Sequence, residues 1–247
     1  MASIQRLDNN THRYVRIRSG YGANLWPPHQ MVPVVPSEFA SASGCYPIFL
    51  TKQGTTGLFE FSVLLGIATG ENLFIDAAGN WDGYVPLNVR RHPFGISTRS
   101  EGLTASERRN LITIDLESPR VSDREGDLIF SERGGHGVIL QRANEALAAL
   151  FDGTSQSAQL TELLLEFDLV EPIQVSAALD SGEVFKFEAL YTVNEERLRA
   201  LPDQVAGEFS RSGAFKLIYL QLQSLQKFDA LVALKSRRAT SARIETR

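Results

Sequence analysis

Residues 173–193 read I-Q-V-S-A-A-L-D-S-G-E-V-F-K-F-E-A-L-Y-T-V, and this stretch decides the fold class. Apolar and polar residues alternate on both sides of Asp180-Ser181-Gly182, a triplet typical of a tight turn. The pattern predicts an antiparallel β-hairpin over 173–179 and 183–193. The sequence on each side has helical spacing instead, so we expect the hairpin to pack against flanking helices.

Helical periodicity begins at His136, with Leu140, Ala143 and Leu147 on one face. We expect four helices around the hairpin and one long helix at the end. The first helix should break at Asp152-Gly153, and the second should be capped by Thr154 and end at Glu171-Pro172. After the hairpin, one helix should be capped by Asn194 and the next should run from Pro202 to Gly213. The last helix should span 214–234, and its apolar face contains Phe215, Ile218, Leu222, Leu225, Phe228 and Leu231.

The N-terminal half favours strands. Short alternating or β-branched segments predict strands at 11–18, 46–51, 57–67 and 111–116, a hairpin turning at Gly79-Asn80, and a short helical turn opening at Pro86. The fold class is therefore α+β, with a strand-rich N-terminal half, C-terminal helices flanking a β-hairpin, and a long final helix. We expect one domain over 1–234, with a lobe boundary near 118–137, and a flexible basic tail over 235–247.

Composition and charge restrict the function classes. A net charge of −4 argues against a general nucleic-acid binder. Cys45 is the single cysteine, so an intrachain disulfide is impossible, which fits a reducing cytoplasm. The first thirteen residues lack the apolar segment of a Sec-type signal, and no run of about 18 apolar residues predicts a membrane span. We expect a cytoplasmic protein; secretion by a route without such a signal stays open.

The sequence offers no familiar catalytic or metal motif. The four histidines are far apart, and no G-x-S-x-G element is present. Gly134-Gly135-His136-Gly137 lacks the Lys-Ser/Thr of a phosphate-binding loop, and we interpret it as a turn before a helix. Cys45 has no nearby residue that would lower its pKa, so we interpret it as a small apolar residue. We predict no catalytic residue, no metal and no cofactor.

An aromatic and arginine cluster is the candidate ligand-binding site. It contains Trp81, Tyr84, Arg90, Arg91, His92 and Phe94. Aromatic residues and arginine dominate binding hot spots because they bury much area at small entropic cost, and arginine also holds carboxylates with two hydrogen bonds. Two adjacent arginines are costly to bury without carboxylate partners, so at least one should reach solvent or a ligand. The alternative, in which Trp81 and Phe94 are core residues and the arginines pair internally, stays open.

At this cluster the chain resembles a known family, the SapC family of bacterial proteins, named for a gene in a surface-layer locus and unrelated to the membrane permease of the same name. The motifs that carry the resemblance are H-R-Y-V-R-I-R-S-G-Y-G at 12–22, V-P-V-V-P-S-E-F at 32–39, Y-P-I-F at 46–49, L-L-G-I-A-T-G-E-N-L-F-I-D at 64–76, W-D-G-Y-V-P at 81–86, R-R-H-P-F at 90–94, L-Y-T-V-N-E-E-R-L-R-A-L-P-D at 190–203 and R-S-G-A-F-K-L-I-Y-L-Q-L-Q-S-L at 211–225. His92 stands where tyrosine is expected, and the tail after Ala233 lies outside the pattern.

The resemblance implies association with a surface layer and neighbouring genes for halogenase-like proteins, cupin-like proteins and TonB-dependent receptors, but it assigns no catalytic residue. Three hypotheses follow. The first is a non-enzymatic cytoplasmic binding or accessory protein that recognises a peptide, protein or small ligand through residues 81–94 and the proline-rich segment 26–36. The second is an enzyme with a composite site, including Arg90, His92 and Glu38. The third is a structural component of an envelope assembly.

Overall fold

The structure, a computed structural model, describes residues 3–22, 24–27, 29–97 and 112–245, with side chains through residue 240. Its strands are β1 (Ile4–Arg6), β2 (Arg16–Ile17), β3 (Met31–Pro33), β4 (Ile48–Lys52), β5 (Phe59–Leu64), β6 (Phe94–Ile96), β7 (Ile112–Asp115), β8 (Val121–Ser122), β9 (Asp127–Leu128), β10 (Val170–Ala178) and β11 (Val184–Val193). Its helices are α1 (Phe39–Ala42), α2 (Leu87–Arg90), α3 (Val138–Glu166), α4 (Glu195–Arg199), α5 (Asp203–Ser212), α6 (Ala214–Ser224) and α7 (Lys227–Glu245), and a 3-10 helix spans Pro36–Glu38. This order confirms the predicted α+β class.

The chain forms two compact units from interleaved segments. Unit 1 comprises Met1–Pro27 and Ile75–Phe151, and unit 2 comprises Pro28–Phe74 and Asp152–Arg247. Residues 118–137, where we expect a lobe boundary, belong to unit 1. The single domain over 1–234, that boundary and the flexible tail stay predictions.

Unit 1 contains two small antiparallel sheets, with strand orders β1-β7-β6 and β8-β2-β9. Its apolar core includes the buried residues Ile17, Phe94, Ile112, Ile114, Ile129, Phe130, Leu140, Ala143 and Leu147. The strand predicted at 11–18 is wrong except at β2. Asp8 Oδ1 accepts hydrogen bonds from the N–H groups of Asn10 and Thr11, at 3.0 and 2.8 Å, and these bonds hold a turn before β2.

Two further predictions in unit 1 are confirmed in part. The hairpin predicted around Gly79-Asn80 is a turn closed by one bridge between Ile75 and Trp81, without two full strands. The strand predicted at 111–116 is present as β7, although residue 111 lies outside the described residues. The short helical turn after Pro86 is confirmed as α2.

Unit 2 is built on one antiparallel sheet of strand order β10-β11-β4-β5-β3. β4 and β5 confirm the strands predicted at 46–51 and 57–67. β10 and β11 form the predicted hairpin, with Ala178 opposite Val184 beside the turn. The prediction that Glu171-Pro172 ends a helix is wrong, since Pro172 pairs with Tyr191 inside the hairpin. Because β10 is an edge strand, a residue without an N–H is tolerated there.

One helix, α3, runs unbroken where the sequence predicts two. The predicted break at Asp152-Gly153, with a new helix capped by Thr154, is wrong, because α3 spans Val138–Glu166. Gly153 faces Val35 so closely that a Cβ on residue 153 would lie 2.5 Å from the Val35 Cβ. The glycine therefore allows close packing inside the helix instead of ending it.

The helix limits after the hairpin are confirmed. The Asn194 side chain accepts a hydrogen bond from the Arg197 N–H at 2.8 Å, so Asn194 caps α4. α5 begins directly after Pro202 and ends at Gly213, whose φ of 76° is left-handed.

The long final helix predicted over 214–234 is divided into α6 and α7 around Leu225-Gln226. The buried side chains of α6 are Ala214, Ile218, Gln221 and Ser224. Phe215 and Leu222, which we expect in the core, are half-buried. The face is rotated because two polar side chains bind the sheet: Gln221 Nε2 donates to Ile48 O, and Ser224 Oγ accepts from Ile48 N, both at 2.9 Å.

Candidate functional site

Trp81 is held by the turn that precedes it. Asp76 Oδ1 and Oδ2 accept hydrogen bonds from the Asn80 N–H and Nδ2, at 2.8 and 2.9 Å, and these bonds lower the pKa of Asp76. Gly79 O accepts a hydrogen bond from the Tyr21 N–H at 2.8 Å. The Tyr21 and Trp81 rings then meet edge to face, with centroids 5.5 Å apart. The half-buried Trp81 ring therefore has a fixed position next to Tyr21.

Tyr84 precedes α2 in the chain, and Arg90 lies at the end of this helix. Arg90 is the last residue of this helix and is exposed. Its guanidinium carbon lies 5.8 Å from the centroid of the half-buried Tyr84 ring, in the geometry of a cation–π contact. The contact presents a cation and an aromatic face together at the surface.

Arg91 is half-buried and bonded to neutral oxygens. Its Nε donates to Asn88 Oδ1 at 3.0 Å, and its Nη1 donates to Phe94 O at 2.9 Å. Burial lowers the pKa of the Arg91 guanidinium. Phe94 itself is 2 % exposed and belongs to the core of unit 1. The internal arginine–carboxylate pairs of the alternative interpretation are absent for Arg90 and Arg91 among the described residues.

His92 contacts groups from two other parts of unit 1. Its Nε2 is 3.0 Å from Ser118 Oγ, and its ring meets the Trp26 ring edge to face at 4.9 Å. A serine beside a histidine can form a nucleophile–base pair. Ser118, however, is buried and its Oγ accepts the Arg120 N–H at 3.3 Å, so the hydroxyl stabilises the turn before β8.

Arg120 is a central residue of this region that sequence reasoning misses. It donates from Nε to Arg18 O at 3.2 Å and from Nη1 to His92 O at 2.8 Å. Its guanidinium carbon lies 5.5 Å from the Tyr21 ring centroid. Arg120 belongs to the stretch of mixed charges after β7, where a solvated loop is the ordinary interpretation. No local pattern would have revealed its burial, which depends on contacts with residues about 100 positions earlier.

The structure thus joins some of the predicted residues and separates others. Trp81 and His92 are both linked to Arg120. The Trp81 ring contacts the Tyr21 ring, which lies against the guanidinium, and the His92 carbonyl accepts a hydrogen bond from it. Tyr84 and Arg90 form a second contact at α2. Ligand binding by the six predicted residues stays a prediction.

The composite site of the second hypothesis stays a prediction as well. Glu38 belongs to unit 2, whereas Arg90 and His92 belong to unit 1, and each unit is described by itself. Within the described ranges, no group of three or more His, Cys, Asp or Glu side chains is placed to hold a metal ion. No helix in the same part of the chain is long and apolar enough to cross a membrane.

Comparison with known proteins gives a family and no individual relative. Neither a curated protein nor a solved structure matches the chain. A family model, SapC, matches residues 7–231, which include the turn at Trp81, α2, Arg120 and the hairpin of β10 and β11. The matched region covers most of the 247 residues, so the chain belongs to the SapC family.

Proposed function

We propose that this SapC-family chain is a non-enzymatic binding or accessory protein that recognises a protein or peptide through the surface around α2. We call this the α2 surface, defined by Trp81, Tyr84, Arg90, Arg91 and His92. Arg90 is exposed and the other four side chains are half-buried. Aromatic and arginine side chains are the residue types that dominate protein-binding hot spots.

One observation carries this proposal: the exposed Arg90 guanidinium lies over the Tyr84 ring. A long charged side chain loses conformational entropy when a partner binds and orders it. The Tyr84 ring already restricts the Arg90 side chain in the free protein, so less entropy is lost on binding. Arg90 forms no ion pair with a described residue, so its charge remains available to an acidic or carboxylate-bearing partner.

As partners we propose the products of the genes that accompany this family, namely halogenase-like proteins, cupin-like proteins and TonB-dependent receptors. We also propose a cytoplasmic location, which suits the half-buried free thiol of Cys45. Fractionation of cells that express the tagged chain would test the location, and recovery outside the cytoplasmic fraction would contradict it.

Purified neighbouring gene products, titrated into the full chain by calorimetry, test the function. Arg90→Ala should weaken the binding of the true partner by about 1–3 kcal/mol, the scale of a charged hydrogen bond. Arg133→Ala is the matched control, because Arg133 is also an exposed arginine of unit 1 without an ion pair among the described residues. Unchanged binding by Arg90→Ala, or equal losses in both variants, would contradict the proposed surface.

A further inference from the structure

Among the residues that the structure describes, Arg120 is buried without a negatively charged partner. The residue is 6 % exposed, and the acceptors of its side chain are the carbonyl oxygens of Arg18 and His92. The Tyr21 ring covers it at 5.5 Å. No described carboxylate forms an ion pair with it, and its Nη2 donates no hydrogen bond to any described residue.

Among the described residues, no negative charge balances the guanidinium of Arg120. A buried ion costs several kcal/mol unless an opposite charge and hydrogen bonds compensate it. Most buried groups escape this cost by changing protonation state, but a guanidinium stays charged under ordinary conditions. The two carbonyls and the aromatic ring compensate only part of the cost, since none of them carries a net charge. An anion supplied from outside the chain would complete the site.

The nature of the free donors indicates the anion. Nη2 keeps both of its N–H groups, and one of the two Nη1 N–H groups is used by His92 O. Planar N–H groups of this kind match the two oxygens of a carboxylate. A carboxylate carries one negative charge, which one guanidinium balances. A phosphate carries more negative charge than one guanidinium can balance. Tyr21 and Trp81, in contact at 5.5 Å, supply apolar surface for the organic body of the ligand.

We propose that Arg120 binds the carboxylate of a small organic acid or of a peptide C-terminus, with Nη2 as donor and with Tyr21 and Trp81 beside the ligand. The inference rests on the proposed function, because it names the chemistry recognised next to the α2 surface. Arg120 is then a ligand-binding residue in addition to holding the backbone of Arg18 and His92.

The two tryptophans of the chain provide a direct readout. Trp81 contacts Tyr21, and the Tyr21 ring lies against Arg120. Trp26 contacts His92, and the backbone carbonyl of His92 accepts a hydrogen bond from Arg120. Tryptophan fluorescence of the full chain should therefore change when an anion occupies the site. The titrants are N-acetyl-Gly-Gly-Leu with a free carboxylate, the same peptide as its C-terminal amide, acetate, and inorganic phosphate, all at constant ionic strength.

We expect a saturable change with the peptide acid and none with the amide. A change with acetate as well assigns the site to small acids, and a change with the peptide acid alone assigns it to a peptide end. Arg120→Lys keeps the charge but loses the planar donor geometry, so it should weaken binding about 10- to 100-fold. Arg133→Ala should stay within about twofold of the wild type, as expected for the substitution of an exposed residue.

Equal responses to acid and amide in the wild-type chain would overturn the proposal, and so would binding of phosphate alone. Unchanged binding by a folded Arg120→Lys variant would overturn it too. If that variant does not fold, the acid–amide comparison in the wild type still decides. If a partner needs Arg90 for binding but the peptide acid and amide give equal responses, the proposed function stands and this inference is wrong. If only the peptide acid gives a response and every partner binds the Arg90→Ala variant normally, this inference stands and the proposed function is wrong.

Discussion

Gly126 packs tightly against the backbone of β2. Its φ is 99°, and a Cβ on it would lie 2.2 Å from Ile17 O. Gly126→Ala should therefore lower the free energy of unfolding by at least about 2 kcal/mol, from the left-handed backbone and the collision together. Urea unfolding at equilibrium measures the loss.

A second left-handed glycine separates these two causes. Gly182, with a φ of 85°, has no heavy atom within 4 Å of a Cβ built on it. Gly182→Ala should cost only the backbone term, about 1–2 kcal/mol. Equal losses at the two positions would show that β2 moves aside without cost at residue 126.

Glu60 predicts a pH dependence. Burial in β5 raises its pKa above the usual value of a glutamate, although a side-chain hydrogen bond from Gln53 acts in the opposite direction. The folded chain then holds this proton more tightly than the unfolded chain, so the contribution of Glu60 to stability falls as the pH rises through the carboxyl range and recovers on acidification. Glu60→Gln should be more stable than the wild type at pH 7, and the difference should disappear in acid.

Thermal unfolding across the pH range tests this sign. Glu188→Gln, on the exposed side of β11, controls for the removal of one negative charge from the same sheet. A stabilisation that is the same for both variants would arise from net charge and not from the burial of Glu60.

Single residues also show where sequence reasoning ends. The cap at Asn194 and the turn at Asp180-Gly182 were predictable because each depends on neighbours within a few positions. The burial of Arg120 was not, because its partners Tyr21 and His92 come from distant parts of the chain. The aromatic and arginine residues near α2 were therefore predictable as candidates, whereas the buried charge of Arg120 was not.

At the scale of elements, α6 is attached to the sheet of unit 2 by polar groups. Gln221 is 0 % exposed, and its Nε2 donates to Ile48 O at 2.9 Å and lies 3.2 Å from Thr192 Oγ1. Gln221→Leu keeps a similar volume but leaves the Ile48 carbonyl without this donor. Because a buried polar group without a partner costs about 1–3 kcal/mol, the free energy of unfolding should fall by that amount.

Gln223→Leu is the matched control, since Gln223 is an exposed glutamine of the same helix. Its effect should stay within about 0.5 kcal/mol, the usual range for a surface substitution. If Gln221→Leu unfolds at the same denaturant concentration as Gln223→Leu, the hydrogen bonds of Gln221 contribute nothing to the docking of α6.

Element limits were predictable where a local signal acts alone. Pro202 and Gly213 bound α5 as expected, because each fixes a backbone conformation by itself. Gly153 and Pro172 were misinterpreted because tertiary context overrides their usual effect: close packing against Val35 in one case and an edge strand in the other. The apolar face of α6 was misplaced for the same reason, since Gln221 finds partners that the sequence does not show.

At the scale of the whole molecule, each compact unit combines segments from both halves of the chain. No local pattern predicts such interleaving, because it depends on contacts between residues far apart in sequence. The α+β class was predictable since it depends on the order of elements along the chain.

The end of the chain offers the test at this scale. We expect a flexible basic tail over 235–247, whereas α7 runs from Lys227 to Glu245. Lys235 Nζ lies 2.5 Å from Glu71 Oε1, with both side chains 21 % exposed. Glu71 also accepts the N–H groups of Ile67 and Ala68, at 2.9 and 3.1 Å. The start of the supposed tail is therefore bonded to a loop of the same unit.

Removal of residues 235–247 should thus destabilise the chain. Loss of Lys235 leaves the half-buried Glu71 carboxylate without its cation, and the truncation also removes Ser236, which is 7 % exposed. We expect a loss of about 1–3 kcal/mol, less than for a fully buried ion pair because the pair retains some contact with water. Truncation after Thr240 keeps both residues and should leave stability unchanged. If both truncated chains melt at the wild-type temperature, residues 235–247 are a tail without a structural role, and the boundary expected at 234 is correct.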